Sequence, residues 1–231
     1  VFGTKEYEEG TFGHWWTILG NDDIEGKVYD GDIDCSGQEL TSLEGCPRKV
    51  LREFNCSSNK LETLEGGPQE TGRNYTCHLN GLKSLKGGPK IVKGYFGCTD
   101  NQLETLEGGP EIIEGSYDCS DNILTTLKGA PKKTVIFWCQ NNHLKNLIGA
   151  PNTSKIFDCS RNDLDSLEGF PKEYGESFIY DNSRFRAQIK IEFELRKENP
   201  NLSDEEIFTR MFEKTQLPQY LPKETKKIFL F

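Results

Sequence analysis

The sequence has no long apolar run, which excludes a bilayer-spanning helix, since that needs about 20 consecutive apolar residues. Hydrophobic residues make up only 34% of the 231, and mean hydropathy is −0.66. That is lean for a compact globule and suits a thin, repetitive structure in which each unit adds a few core residues. Positive charge is also short: 28 Lys and Arg stand against 37 Asp and Glu, for a formal net charge of −9. A nucleic-acid binder carries a basic footprint, and none is visible here, so nucleic acid is not an expected partner. The acidic balance suits a basic protein partner or plain solubility. Histidine occurs only at His14, His78 and His143, in separate segments, so no Ser/His/Asp or Cys/His set is expected. Residues 1–20 do not run from a basic to an apolar region, and no secretory signal is expected in them.

What is present is a repeat. Seven cysteines, Cys35, Cys56, Cys77, Cys98, Cys119, Cys139 and Cys159, fall at spacings of 21, 21, 21, 21, 20 and 20. Two residues before them stand Ile33, Phe54, Tyr75, Phe96, Tyr117, Phe137 and Phe157. Three after stand Gln38, then Asn59, Asn80, Asn101, Asn122, Asn142 and Asn162. Two leucine columns follow, from Leu40 to Leu164 and from Leu43 to Leu167, then a glycine column from Gly45 to Gly169 and a proline column from Pro47 to Pro171.

Each column has a physical role. Residues two apart on a strand point the same way, so the aromatic and the cysteine share the inner face. One repeat cannot bury that face alone, but stacked copies can. Asparagine bonds backbone groups where the strand turns, glycine permits the bend, and proline fixes an extended, polyproline-like return. The back face is therefore expected to be irregular and not helical. At about 4.8 Å per stacked strand, seven copies make a rod about 35 Å long.

The cysteines admit two readings. A zinc site wants close pairs converging on one ion, and thiols stacked in register match disulfide dihedrals poorly. Small apolar core filler is the reading favoured, with a metal or disulfide as the alternative. Cys46 lies outside the column, in the turn. Many free thiols suit a reducing cytoplasm.

Copies such as Cys35–Val50 resemble leucine-rich repeats, in particular the short class of bacterial effectors and the leucine-rich-repeat proteins of large tailed phages, whose copies read CSxNxLTSLEGxPxxV. The resemblance covers about residues 31–183. It implies a leucine-rich-repeat solenoid with one parallel β-strand per repeat, and a phage protein acting in the bacterial host cytoplasm. Some of those effectors carry a C-terminal ubiquitin-ligase domain with a nucleophilic cysteine. The segment after the repeats here has no cysteine, so a non-enzyme without cofactor or metal is expected.

Repeat arrays need caps. Residues 1–30, with Phe12, Trp15, Trp16, Ile18 and Leu19, read as an N-terminal cap; Trp15 and Trp16 beside His14 also read as a recognition patch. Residues 31–183 form the solenoid, closing on a degenerate copy, Phe178 to Asn182, with Tyr180 in the cysteine place. In residues 184–231, read as a small helical C-terminal cap or extension, Phe185, Ile189 and Phe193 predict a helix through about Glu198. Ser203 with Glu206 predicts a capping box opening a second helix that carries Ile207, Phe208, Met211 and Phe212. The apolar end, Ile228 to Phe231, is expected to dock on these helices or on a partner.

Function is expected on the outward strand positions, since solenoids offer extended concave surfaces. Most are small and polar. The exceptions are Tyr95, Ile136, Trp138 and Ile156, with Asp118 and Asp158 flanking the tryptophan on neighbouring repeats. These six form the candidate protein-binding site. The competing readings are local packing of Trp138 on Ile136 and Ile156, and an alternative patch at the loop edge, Asp100, Asp121 and Arg161. The expected function is binding of a host protein as adaptor or inhibitor, counter-defence included. The alternative is a virion-associated or self-assembling structural protein.

Overall fold

A computed structural model describes residues 6–171, 173–179 and 186–215. Within them the chain is a parallel β-solenoid. Its main sheet has eight parallel strands: β2 (Ile33–Asp34), β4 (Phe54–Asn55), β6 (Tyr75–Thr76), β8 (Phe96–Gly97), β10 (Tyr117–Asp118), β11 (Ile136–Trp138), β12 (Thr153–Asp158) and β13 (Glu173–Ile179), stacked in chain order. The aromatic column is in register from Ile33 to Phe157 and continues to Phe178. The return leg is non-helical, as the prolines predict. In the N-terminal turns, contrary to expectation, it is not irregular but pairs into a second, five-stranded parallel sheet: β1 (Val28–Tyr29), β3 (Lys49–Val50), β5 (Glu70–Thr71), β7 (Ile91–Val92) and β9 (Ile112–Ile113).

The core is a bundle of ladders. Cysteine, aromatic and leucine columns are all buried, and each large apolar side chain taken from water contributes roughly 1.5–3 kcal/mol. Neighbouring rings from Phe54 to Phe157 stack with centroids 5.0–5.7 Å apart. The asparagines form a second ladder. Asn122 Nδ2 donates to the carbonyls of Cys98, Cys119 and Ser120 at 3.0–3.2 Å, while its Oδ1 accepts the N–H of Leu103 at 3.1 Å. One side chain thus satisfies backbone groups in two adjacent turns, and Asn59, Asn80, Asn101, Asn142 and Asn162 repeat the pattern. The glycine column from Gly45 to Gly169 has φ of 80–95°. There a side chain would be strained in any case, and a Cβ on Gly87 would sit 2.4 Å from Glu65 Cα.

Each end replaces a missing turn. In the interior, the N–H of the second leucine donates to a carbonyl one turn on, as Leu106 does to Lys128 and Leu147 to Glu168. Before the first turn, helix α1 (Phe12–Ile18) supplies the donor: Gly13 N–H bonds Glu44 O at 2.8 Å. Phe12 is fully buried, Trp16 stacks on it at 5.6 Å, and Trp15 packs beside them. At the last turn the Leu167 N–H meets a side chain and not a backbone carbonyl. Helix α2 (Arg186–Glu198) supplies a carboxylate instead, and Glu192 Oε2 accepts Leu167 N–H at 2.8 Å. Glu192 is fully buried and paired with Arg196, which also binds Asp204. Burial drives its carboxyl pKa up against the opposing pull of Arg196 and the Leu167 N–H.

Helix α3 (Asp204–Thr215) opens with the expected capping box. Ser203 N–H donates to Glu206 and Glu206 N–H to Ser203 Oγ. Ile207, Met211 and Leu195 form a small separate core. Tyr180, Phe185 and the apolar end Ile228 to Phe231 lie outside the described residues, as do the side chains of Ile189, Phe208 and Phe212.

Two predictions follow from the buried polar groups. The hydroxyls of Tyr75 and Tyr117 are buried with no hydrogen-bond partner beyond the neighbouring thiols of Cys56 and Cys98. They fit only because Gly67 and Gly109 leave room, with Cβ-to-hydroxyl distances that would be 3.0 and 3.1 Å. Tyr75→Phe and Tyr117→Phe should each stabilise by about 1 kcal/mol in urea unfolding, since Phe already fills the same place in four other turns. Glu192→Ala should destabilise by roughly 3 kcal/mol, leaving Leu167 N–H without an acceptor and Arg196 with Asp204 alone. Glu192→Gln keeps an acceptor and should recover more than half of that loss in the same assay.

Candidate functional site

The outward face of the main sheet is made of three columns, at three residues before, one before and one after each cysteine. Across seven repeats these hold Asp32, Asp34, Glu53, Asp118 and Asp158 but none of the 28 Lys and Arg. The cations lie elsewhere, several in ladders between neighbouring turns: Lys49–Glu70 at 2.7 Å, Lys86–Glu65 at 3.0 Å and Lys128–Glu107 at 2.9 Å. Exposed pairs of this kind contribute little individually. The three outward columns themselves are left without a Lys or Arg.

The structure brings the candidate residues together. Ile136 pairs with Ile156 on adjacent strands, and Trp138 stands between Asp118 and Asp158, all in register. All are half-buried. Tyr95 lies one strand before Asp118 and joins the group through its hydroxyl, which donates to Asp118 Oδ2 at 3.4 Å. Each carboxylate also shapes the backbone. Asp118 Oδ1 accepts Ser120 N–H at 3.0 Å and Ser120 O–H at 2.6 Å, and Asp158 Oδ1 accepts Ser160 N–H at 2.9 Å. Asp34 and Asn55 make the same turn in the first two repeats. The competing reading of Trp138 as purely local packing meets one difference. Trp15 and Trp16 bond their indole N–H groups to Gln38 and to the Asp22 carbonyl, whereas the Trp138 indole N–H has no partner among the described residues.

Four residues escaped sequence reasoning as site members. His78 lies flat across Gly97: a Cβ there would be 2.2 Å from the imidazole and 2.5 Å from the Tyr95 hydroxyl. Its Nδ1 accepts Thr99 N–H at 3.1 Å and its Nε2 is 3.5 Å from the Tyr95 hydroxyl. Burial lowers its pKa, and the acceptor role of Nδ1 fixes a neutral ring. Burial also raises the Tyr95 phenol, with Asp118 adding to it. The signal for both was a lone His and a lone Gly in otherwise Ser-, Thr- and Asp-rich columns. Gln140, two residues beyond Trp138, has a buried amide oxygen with no donor. Ile179 is in register with Asp158 and exposed; extending the register through Phe178 would have found it.

The alternative patch does not assemble in the same way. Asp100, Asp121 and Arg161 stand at the left-handed position two after each cysteine, with φ of 51–55°. Asp121 accepts from Asn141 along that edge. A concavity of about 1120 Å³ lies between the last two turns and the α2–α3 connection, and its Arg196 is already committed to Glu192 and Asp204.

All eight cysteines are buried thiols, none of them in a disulfide. Each of the seven column thiols points its Sγ at the backbone carbonyl of the next turn, as Cys77 does to Gly97 O at 3.3 Å. Among the described residues, no three His, Cys, Asp or Glu side chains converge to hold a metal, and no helix is long and apolar enough to cross a membrane. Comparison with protein-family models, with characterised proteins and with solved structures finds no match. The class the geometry defines is a parallel β-solenoid repeat protein with a period of about 21 residues.

Burial raises the pKa values of Cys35, Cys46, Cys56, Cys77, Cys98, Cys119 and Cys139, that of Cys56 to about 12. A thiol pKa above its unfolded value of about 8.5 contributes stability that is complete below that pH and is lost as pH climbs toward the folded value. Unfolding midpoints should therefore fall steadily between about pH 8.5 and 11. At neutral pH all eight thiols should resist a thiol reagent until denaturant is added, as absorbance titration will read.

Proposed function

We propose that this chain is a non-catalytic protein-binding module that uses the Trp138 face of its main sheet. The observation that carries the reading is the half-buried tryptophan, its indole N–H without a partner, set among Ile136, Ile156 and exposed Ile179 and rimmed by Asp118 and Asp158. An aromatic anchor in an apolar cluster with a polar rim is the anatomy of a binding hot spot. The absence of a catalytic reading is supported by the buried thiols and by a half-buried imidazole already committed to Thr99. The repeat wording extends the proposal: a leucine-rich-repeat protein, encoded by a phage, acting in the bacterial cytoplasm as adaptor or inhibitor of a host protein, including one of the host's defences.

One observation favours a second reading, self-assembly. Strand β13 ends the main sheet and is seven residues long; a long terminal strand is a template for pairing with another chain.

Affinity capture from bacterial lysate, wild type beside Trp138→Ala, separates them. A protein held by wild type, lost by at least roughly tenfold with the variant and rebinding when purified, supports the first reading. Retention by both moves the site off this face. No captured protein, together with a multimeric mass in sedimentation, overturns it in favour of self-assembly.

A further inference from the structure

We infer that the Trp138 face is built to seat an arginine side chain of the partner protein. This rests on the protein-binding reading above and specifies its chemistry. In-register pairing places Asp118 and Asp158 on the two strands beside Trp138, each about 4.8 Å from it along the sheet. An aromatic face with a carboxylate on either side attracts a cation twice, through the ring quadrupole and through charge.

No described Lys or Arg is seen to supply that cation. No Lys or Arg stands in the three outward columns of the seven repeats. No ion pair among the described residues reaches Asp118 or Asp158. Each carboxylate spends Oδ1 on its serine turn. Asp118 Oδ2 meets only the Tyr95 hydroxyl, at 3.4 Å. Two residues beyond Trp138 and on the same face, the Gln140 amide oxygen is buried and lacks a donor among the described residues.

Arginine fits this array better than lysine. A guanidinium is a plane that lies on a ring while its five N–H donors radiate from its edge. Carboxylate acceptors stand on both neighbouring strands, and the Gln140 amide oxygen lies just beyond the end of its own. An ammonium has three donors and no plane. The aliphatic stem of arginine also finds a surface here, the pair Ile136 and Ile156 and the exposed Ile179.

The test reads the Trp138 indole N–H by NMR, assigned through its loss in Trp138→Phe. The probes are N-acetyl-arginine amide and its neutral isostere N-acetyl-citrulline amide. The expected result is a saturable shift with the arginine probe and roughly tenfold weaker binding of the citrulline probe. Asp118→Asn with Asp158→Asn should weaken arginine binding by a similar factor. That double variant should fold, because Asn keeps the Oδ1 acceptor, as Asn55 does for Ser57 N–H at 3.0 Å. Equal binding of the two probes, no movement of the Trp138 signal, or an undiminished shift in the double variant overturns the inference.

The two proposals fail separately. If the arginine probe gives no shift while Trp138→Ala still loses a captured protein, the protein-binding reading stands and the arginine assignment falls. If the probe binds but no protein is captured, the assignment to a partner protein falls.

Discussion

Everything in this molecule depends on one constraint: no turn can satisfy its own interior. The inward groups of a turn include backbone carbonyls, N–H groups, a thiol, a ring and two leucines. Many of them find partners in the turns above and below. The asparagine ladder states this most directly, since Asn122 bonds carbonyls of its own turn and of the one before, and accepts an N–H from the earlier turn. Strict register follows, because a slip of one residue would aim every asparagine at the wrong carbonyl and turn every ring to solvent.

The same constraint makes the ends costly. Gly13 N–H at one end and the Glu192 carboxylate at the other stand where a neighbouring turn's backbone would. The two solutions differ because the needs differ. The first turn offers a spare carbonyl, which any backbone N–H can fill. The last offers a spare N–H, which here meets a charged acceptor. That charge must be buried, and Arg196 and Asp204 are arranged around it. Capping by a carboxylate rather than a carbonyl therefore couples the solenoid to the helical hairpin.

Because the scaffold uses only the inward columns, the outward ones carry few structural obligations. Where they do carry one, it is the serine turn made by Asp34, Asn55, Asp118 and Asp158. Trp138 breaks that column, and Gly97 breaks it under the His78 and Tyr95 rings. These departures lie within one stretch of the sheet. The absence of Lys and Arg from these three columns separates them from the loop edges, where Lys and Glu of successive turns pair.

The sequence alone determined the period, the inward columns with their seven core cysteines, and the two C-terminal helices, capping box included. It did so because each rests on local chemistry repeated in phase: Asn at a turn, Gly where φ is positive, Ser203 three residues before Glu206. It also placed Tyr95, Asp118, Ile136, Trp138, Ile156 and Asp158 on one face, since alternation along a strand is local too. What only the tertiary structure decided are relations between turns whose partners do not repeat. The second sheet on the return leg, the way His78 crosses Gly97 to reach Tyr95, the room that Gly67 gives the Tyr75 hydroxyl and the role of Glu192 as a substitute carbonyl are of this kind. Each depends on which side chain of another segment happens to stand opposite, and a single periodic pattern carries no information about that.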